Sequence, residues 1–247
     1  MSTLFVSDLH LDDTRPQATR AFLDFLGGAE VAGAQALFIL GDLFEAWVGD
    51  DDPSDCGAAV ASALAGVSGT GLPVYFMRGN RDFLLGCDYA RRCGMRLLPD
   101  PCVMPLAGRP VLLMHGDLLC TRDTGYQAVR RQVRDPNWQT AFLAQPLQAR
   151  IDFARQARDA SRSHHDGLAA SGQAETITDV DPATVADHLR LFDVDLLVHG
   201  HTHRPALHES TVEGRRRQRV VLGDWYEQGS VLRLDGDGPR LGTLSIT

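Results

Sequence analysis

Five times along this chain, a short apolar run stops at a cluster of carboxylate, amide or imidazole side chains. The run at Leu4–Val6 leads into Asp8-Leu9-His10, and Ala36–Leu40 leads into Gly41-Asp42. Val74–Met77 precedes Gly79-Asn80-Arg81-Asp82, Val111–Met114 precedes His115-Gly116-Asp117, and Leu196–Val198 precedes His199-Gly200-His201-Thr202-His203. Apolar runs of this length, separated by helix-length intervals, read as buried strands of an α/β layer architecture. Open α/β folds gather their sites at the strand ends along one sheet edge. A single Asp-x-His or His-Gly-Asp is ordinarily a turn or cap feature. Five such clusters in series are not accounted for by turn chemistry.

The side chains in these clusters specify a chemistry. Asp8, Asp42 and Asn80 offer oxygen, and His10, His115, His201 and His203 offer imidazole nitrogen. This mixed set exceeds one tetrahedral zinc and suits two borderline-hard divalent ions. The expectation is a two-metal hydrolase. A non-catalytic metal-binding scaffold is the alternative from another class, and the completeness of the ligand set argues against it.

Strands are expected at Thr3–Ser7, Ala36–Leu40, Pro73–Met77 and Pro110–Met114, with helices at Pro16–Leu26, Asp55–Ala65 and Pro182–Leu191. Residues 122–170 differ in character: they hold no strand-like run, and Pro136 and Pro146 divide them into three helices. An insertion of this kind between two ligand clusters reads as a cap over the site, leaving 1–121 and 171–247 as the core. Ser171–Glu175 reads as a loop. From Asp195 onward short strands alternate with turn signals, and Val212–Arg219 reads as an exposed hairpin tip.

Composition removes several classes. A net charge of −8 argues against a nucleic-acid partner, because phosphate-backbone binding needs a basic face. All 24 basic residues are Arg, so a phosphate clamp here must be a guanidinium. The five cysteines (Cys56, Cys87, Cys93, Cys102 and Cys120) form no CxxC pair and fit reduced thiols in a cytoplasmic protein. Asp8 interrupts the first apolar stretch, so no signal peptide is expected, and no stretch approaches the roughly 20 apolar residues of a membrane span.

The DxH, GD, GNxD, HGD and GHTH series resembles the calcineurin-like metallophosphoesterase family. That resemblance implies a four-layer α/β/β/α sandwich with a dinuclear centre. It implies that Asp42 bridges two metals, with Asp8, His10 and His203 on one and Asn80, His115 and His201 on the other. A bridging hydroxide would then attack phosphorus in line. Where many members carry a His after the Gly-Asn, this chain has Arg81. A guanidinium cannot protonate a leaving alkoxide but grips phosphate bidentately, which favours cleavage within a pyrophosphate.

The longer words GDLFEAWVGDDDP (41–53), FMRGNRDFLLG (76–86), LMHGDLLCTRD (113–123), HGHTHRP (199–205) and VVLGDWYEQGS (220–230) resemble one branch of that family. The branch cleaves the pyrophosphate of a diacylated UDP-glucosamine during lipid A biosynthesis. The resemblance implies two Mn²⁺ per chain, release of UMP and a lipid sugar phosphate, and a peripheral position on the cytoplasmic face of the inner membrane. Asn80, Arg81, Asp123, Ser161, His165 and His201 would contact substrate. Phe142, Leu143, Leu147, Ile151 and Phe153 are expected to wall an acyl chamber. Arg130, Arg131, Arg134, Arg150, Arg155 and Arg158 read as solvated helix faces for the most part, with anionic headgroups as their other partner. Asp50–Asp52 reads as an exposed loop and Trp47 as a packing residue. A soluble metallophosphoesterase for nucleotides or phosphoproteins is the alternative enzyme.

Overall fold

The computed structural model describes residues 2–170 and 177–246; for 164–166 and 168–170 only the backbone is described. The expected loop at 171–175 and the side chain of His165 therefore lie outside the described residues.

Apolar alternation builds two sheets. Strands β1 (Thr3–Val6), β2 (Ala36–Leu40), β3 (Val74–Met77) and β4 (Met95–Leu98) run parallel in one six-stranded sheet. Strands β10 (Gln228–Asp235) and β11 (Gly238–Ser245) complete it antiparallel, in the order β11-β10-β1-β2-β3-β4. The second sheet has the order β5-β6-β7-β9-β8, from Cys102–Leu106, Arg109–Leu113, Leu196–His199, Arg215–Val221 and Ala206–Val212.

Successive strand residues face opposite sides, and burial divides accordingly. Phe5, Phe38, Leu40, Val111, Leu113, Val198 and Val220 fill the space between the sheets. Leu4, Val6, Leu37 and Ile39 turn the other way, onto helices α1 (Pro16–Gly27), α3 (Asp55–Gly69) and α4 (Cys87–Cys93). A short α2 (Ala29–Ala32) follows α1. On the far face of the second sheet, Leu112, Met114 and Leu197 pack on Val185 and Leu189 of α8 (Pro182–Leu191). The result is the four-layer α/β/β/α sandwich.

Between β6 and α8 stand α5 (Thr124–Val133), α6 (Pro136–Leu143) and α7 (Leu147–Ala170). Pro136 opens α6 behind an Asp135 cap that accepts from the Asn137 and Trp138 amides. Two expectations need correction, and three elements lie outside those expected. The α4, β4 and β5 segments carry no strong periodicity and went unread; α4 forms because Asp50 accepts from the amides of Gly86, Asp88 and Tyr89 at its start. The Arg215–Arg219 run is not wholly exposed: Arg217 is buried and donates to the carbonyls of Leu189 and Val194 beside α8. Asp50–Asp52 form a loop as expected, with Asp51 exposed and paired with Arg150 and Asp52 accepting from the Ser54 amide. The cap arginines are treated with the site. No described helix is long and apolar enough to cross a membrane, and all five cysteines are unpaired.

Candidate metal centre

Every parallel strand carrying a cluster ends at the same edge, and the loops beyond them are tied to one another. Asp8 N–H donates to the Gly41 carbonyl (3.1 Å), His10 N–H to the Asp42 carbonyl (3.0 Å) and Gly200 N–H to the His115 carbonyl (2.8 Å). Eight described non-glycine residues have left-handed backbone, and five of them are Asp8, His10, Asp42, His201 and His203. Each costs roughly 1–3 kcal/mol and persists only where its surroundings over-determine it. The other three, Ala107, Asp193 and Glu213, occupy ordinary turns. Strain is thus concentrated on the side chains that the sequence singles out.

The glycines of the motifs are close-approach positions. A Cβ at Gly79 would fall 2.1 Å from Asp42 Oδ1, and one at Gly200 would fall 2.2 Å from Asp8 Oδ2. Both carboxylates are therefore clamped against bare backbone. Asp42 Oδ1 also accepts from Arg81 N–H (2.8 Å), and Asp8 from His201 N–H (2.9 Å).

Two donor groups result, each with its ligand atoms within 4.8 Å of one another: Asp8, His10 and His203, and Asp8, Asp42 and His115. The two oxygens of Asp42 face different groups. Oδ2 lies 3.8 Å from His10 Nε2, and Oδ1 lies 3.6 Å from His115 Nε2. Asn80 Oδ1 sits 2.8 Å from both His115 Nε2 and His201 Nδ1. All seven side chains expected to ligate converge here.

The far ring nitrogens have partners of their own. His115 Nδ1 lies 2.9 Å from the Leu40 carbonyl, His10 Nδ1 lies 2.8 Å from Glu45, and His203 Nδ1 lies 3.3 Å from Asp224. Such contacts fix the tautomer and aim Nε2 inward. His10 Nε2 and His203 Nε2 then face each other at 3.2 Å. These inward-facing ring nitrogens beside buried carboxylates form a donor set that fits divalent cations.

Electrostatics agree. Burial opposes charge on His115, but Asp42, Asp117 and Asp8 raise it to about 9. Burial likewise opposes charge on His203, but Asp224 and Asp8 raise it to about 10. Burial and the charge on His115 push His201 down to about 3. Protons on two imidazoles thus offset the buried carboxylates, and bound cations would replace them.

Two motif acids do not join the donor groups. Buried Asp82 accepts from the amides of Leu43 (2.7 Å) and Gly79 (2.8 Å), tying the β2 and β3 loops together. Burial and neighbouring Asp42 raise its pKa to about 6. Asp117 accepts from Tyr126 Oη and Arg130 Nε, both at 2.8 Å, and so anchors α5.

The cap arginines turn inward more than expected. Arg130 reaches Asp117 and Asp100, and Arg134 donates to the Gly79 carbonyl (2.9 Å). Arg150 is buried on Asp51, and Arg158 lies 3.1 Å from Glu45. Of the six, only Arg131 and Arg155 present a solvated face. The carboxylates of the core loops create this difference, because long guanidinium stems can bridge from helix to loop.

A pocket of about 320 Å³ over the donor groups is lined by Arg81, Asp123, Tyr126, Ser161, Thr202 and Tyr226 among others. Asp123 Oδ1 caps α5 by accepting from the Tyr126 amide. A second, apolar chamber of about 200 Å³ shares Asn80, Arg81, Tyr126 and Ser161 with that pocket. Phe142 and Phe153 line it as expected, whereas Leu143, Leu147 and Ile151 do not. Trp47, Phe83, Leu84, Val129 and Val133 add to the apolar wall, and Glu45, Arg130, Arg134 and Arg158 also line it. Trp47 is buried between Phe44 and Tyr89, the packing role expected of it.

Residue types, strand-end geometry and paired donor groups together define a metallophosphoesterase. Residues 1–205 match the calcineurin-like phosphoesterase family, and the chain belongs to it. It is 59% identical over 248 residues to a protein of Xanthomonas campestris pv. campestris named UDP-2,3-diacylglucosamine hydrolase, covering 100% of both chains. A protein of the same name from Stenotrophomonas maltophilia is 58% identical over 247 residues, covering 99% of both.

Proposed function

We propose that this chain hydrolyses the pyrophosphate of UDP-2,3-diacylglucosamine, releasing UMP and 2,3-diacylglucosamine 1-phosphate for lipid A biosynthesis. One observation carries the reading: the pocket over the donor groups opens directly into an apolar chamber, with Asn80, Arg81, Tyr126 and Ser161 at the junction. A substrate joining pyrophosphate to acyl chains needs that continuity. Full-length relatives bearing the substrate's name support the same reading.

Asp8, His10, Asp42 and His203 would hold one cation, and Asp42, Asn80, His115 and His201 the other, with Mn²⁺ the ion we assign. When bound, such a pair supplies a water of lowered pKa and positive charge against the phosphoryl oxygens. The chain's own groups do the rest. Arg81 stands at the junction and grips the pyrophosphate, whose phosphate leaving group needs no proton. Asn80 orients the phosphoryl oxygen, while Asp123 and Ser161 meet the sugar. The chamber takes the acyl chains, excluding water by the area that they cover. Residues 122–170 act as a cap on a core of 1–121 and 171–247. The protein would work peripherally on the cytoplasmic face of the inner membrane, where its substrate's acyl chains reside, without a nucleic-acid partner.

Metal-stripped protein should be inactive on UDP-2,3-diacylglucosamine and recover with Mn²⁺. Full activity without metal ends the two-metal reading. Equal efficiency on a UDP-sugar without acyl chains would favour a general soluble metallophosphoesterase for nucleotides or phosphoproteins.

A further inference from the structure

One word of the sequence, VVLGDWYEQGS, has no full role in the metal chemistry. Asp224 pairs with His203, Tyr226 stacks on His10, and the Trp225 amide donates to the Asp8 carbonyl. The same word also shapes a third cavity, an open groove of about 560 Å³. Asp224, Tyr226, Glu227, Gln228 and Ser230 line one side, and Thr243 of β11 lines another. The groove shares His203 and Tyr226 with the metal pocket, but no lining residue with the apolar chamber. The metal pocket therefore has two mouths, an apolar one past Arg81 and one past Tyr226 of mixed character that carries Asp224, Glu227, Gln228 and Thr243.

Tyr226 is a fixed boundary between pocket and groove. It is 46% exposed, yet its ring stacks on His10 at 5.3 Å with the Arg15 guanidinium 4.4 Å from its centroid. Arg15 is itself held by the carbonyls of His10 (3.2 Å) and Trp225 (2.8 Å). An exposed aromatic held this firmly gives the groove a stable edge. The other lining groups supply complementary hydrogen-bonding: the Gln228 amide both donates and accepts, and Glu227 accepts from hydroxyls. At this size the groove falls within the range of small-molecule clefts.

We propose that this groove takes the nucleoside half of the nucleotide-linked substrate. The inference rests on the function proposed above. A substrate with a polar and an apolar end, cut at the pyrophosphate between them, requires two unlike subsites on opposite sides of the metal pocket. The chamber's aromatic and aliphatic wall suits the acyl chains, whose occupancy of its about 200 Å³ leaves no place there for a base and a ribose. The open groove, with Asp224, Glu227, Gln228, Ser230 and Thr243 as hydrogen-bonding groups, is the cavity that remains continuous with the metal pocket.

The test uses the Mn²⁺-loaded full chain with UMP as probe. Hydrogen exchange on the unaltered protein, at UMP concentrations that inhibit turnover, should show protection at 223–230 and 241–243. Protection confined to 123–161, or none at 223–230, overturns the assignment. Thr243→Trp narrows the groove from an exposed position, and should raise the UMP inhibition constant about tenfold or more. Metal content and turnover of bis(p-nitrophenyl) phosphate, which has no nucleoside, should be retained. An unchanged UMP constant in that variant also overturns it. The two proposals fail differently. Without the nucleoside groove the unaltered enzyme still hydrolyses the lipid substrate, whereas failure of the proposed function abolishes that reaction itself.

Discussion

The core loops and the cap reach the same pocket by opposite means. In the core, each expected ligand lies within a few residues of a strand end; five of the seven sit on left-handed backbone, and Asp8 and Asp42 are clamped by a glycine. In the cap, contact with the site depends on long side chains from separate helices, with Arg130, Arg134 and Arg158 reaching back to the carboxylates and carbonyls of core loops. Core geometry is therefore local and intolerant of added atoms. Cap geometry is distributed, and loses its parts one at a time.

The largest effects should fall on the core. Asp42→Ala removes the carboxylate whose two oxygens face His10 and His115 separately, and should abolish turnover together with at least one bound metal per chain. Gly79→Ala should do nearly as much with a single methyl, because that carbon would meet Asp42 Oδ1 at 2.1 Å. Metal analysis of the folded variants reads both. A Gly79→Ala enzyme with full metal and full activity would break the contrast drawn above.

Arg81 stands where the two regions meet and should show the next largest effect. Its backbone belongs to the core, donating to Asp42, while its side chain lines the pocket and the chamber. Arg81→Ala should lower kcat/KM by roughly 10²–10³, the scale of one preorganised charge contact, and leave metal content intact. Arg81→His should recover little on the pyrophosphate substrate. Near-normal activity of Arg81→Ala would remove the leaving-group case for a pyrophosphate.

This division also decides what could be read from the chain. The seven donor residues were legible because a strand end and its turn are local: Asp8 and His10 need only β1 and the next four residues. Asp82 and Asp117 stand in the same motifs, yet they face backbone amides and α5, a distinction that only the folded loops make. Glu45 and Asp224 lay inside quoted words, but the histidines behind which they sit come from elsewhere in the chain. The chamber was half legible. Its aromatic content was visible in the cap, but its walls come from Trp47, Phe83 and Val129, on three distant segments. Four arginines were misread for the same reason, since their partners are core carboxylates and carbonyls remote in sequence.

Glu45 joins the two regions and should give an intermediate effect. Burial pushes its pKa up, but His10, Arg81 and Arg158 together bring it down to about 2, so it stays ionised between a metal-facing imidazole and the cap. Glu45→Gln should weaken Mn²⁺ binding about 10–100-fold, the usual range for a partner of a ligand histidine. Arg158→Ala should weaken it less, since it removes only the charge behind Glu45. Titration calorimetry with Mn²⁺ reads both directly. Equal losses from the two changes would mean that the cap, rather than Glu45, sets the position of His10.

The smallest effects should separate neighbouring apolar residues of the cap. Phe153 lines the chamber and is 42% exposed, so a bound acyl chain would cover ring surface that water now touches. Covering such a ring is worth about 1–2 kcal/mol, and Phe153→Ala should raise KM for the acylated substrate by roughly 5–30-fold. Turnover of an unacylated phosphodiester should not change. Leu143 has similar exposure, at 41%, but does not line the chamber. Leu143→Ala should therefore stay within about 0.5 kcal/mol in stability and leave KM as it was. The pair isolates position from hydrophobicity, because both are large exposed apolar residues on consecutive cap helices. If Leu143→Ala raised KM as much as Phe153→Ala, the acyl chains would lie over the outer face of the cap and the chamber would lose its assigned occupant.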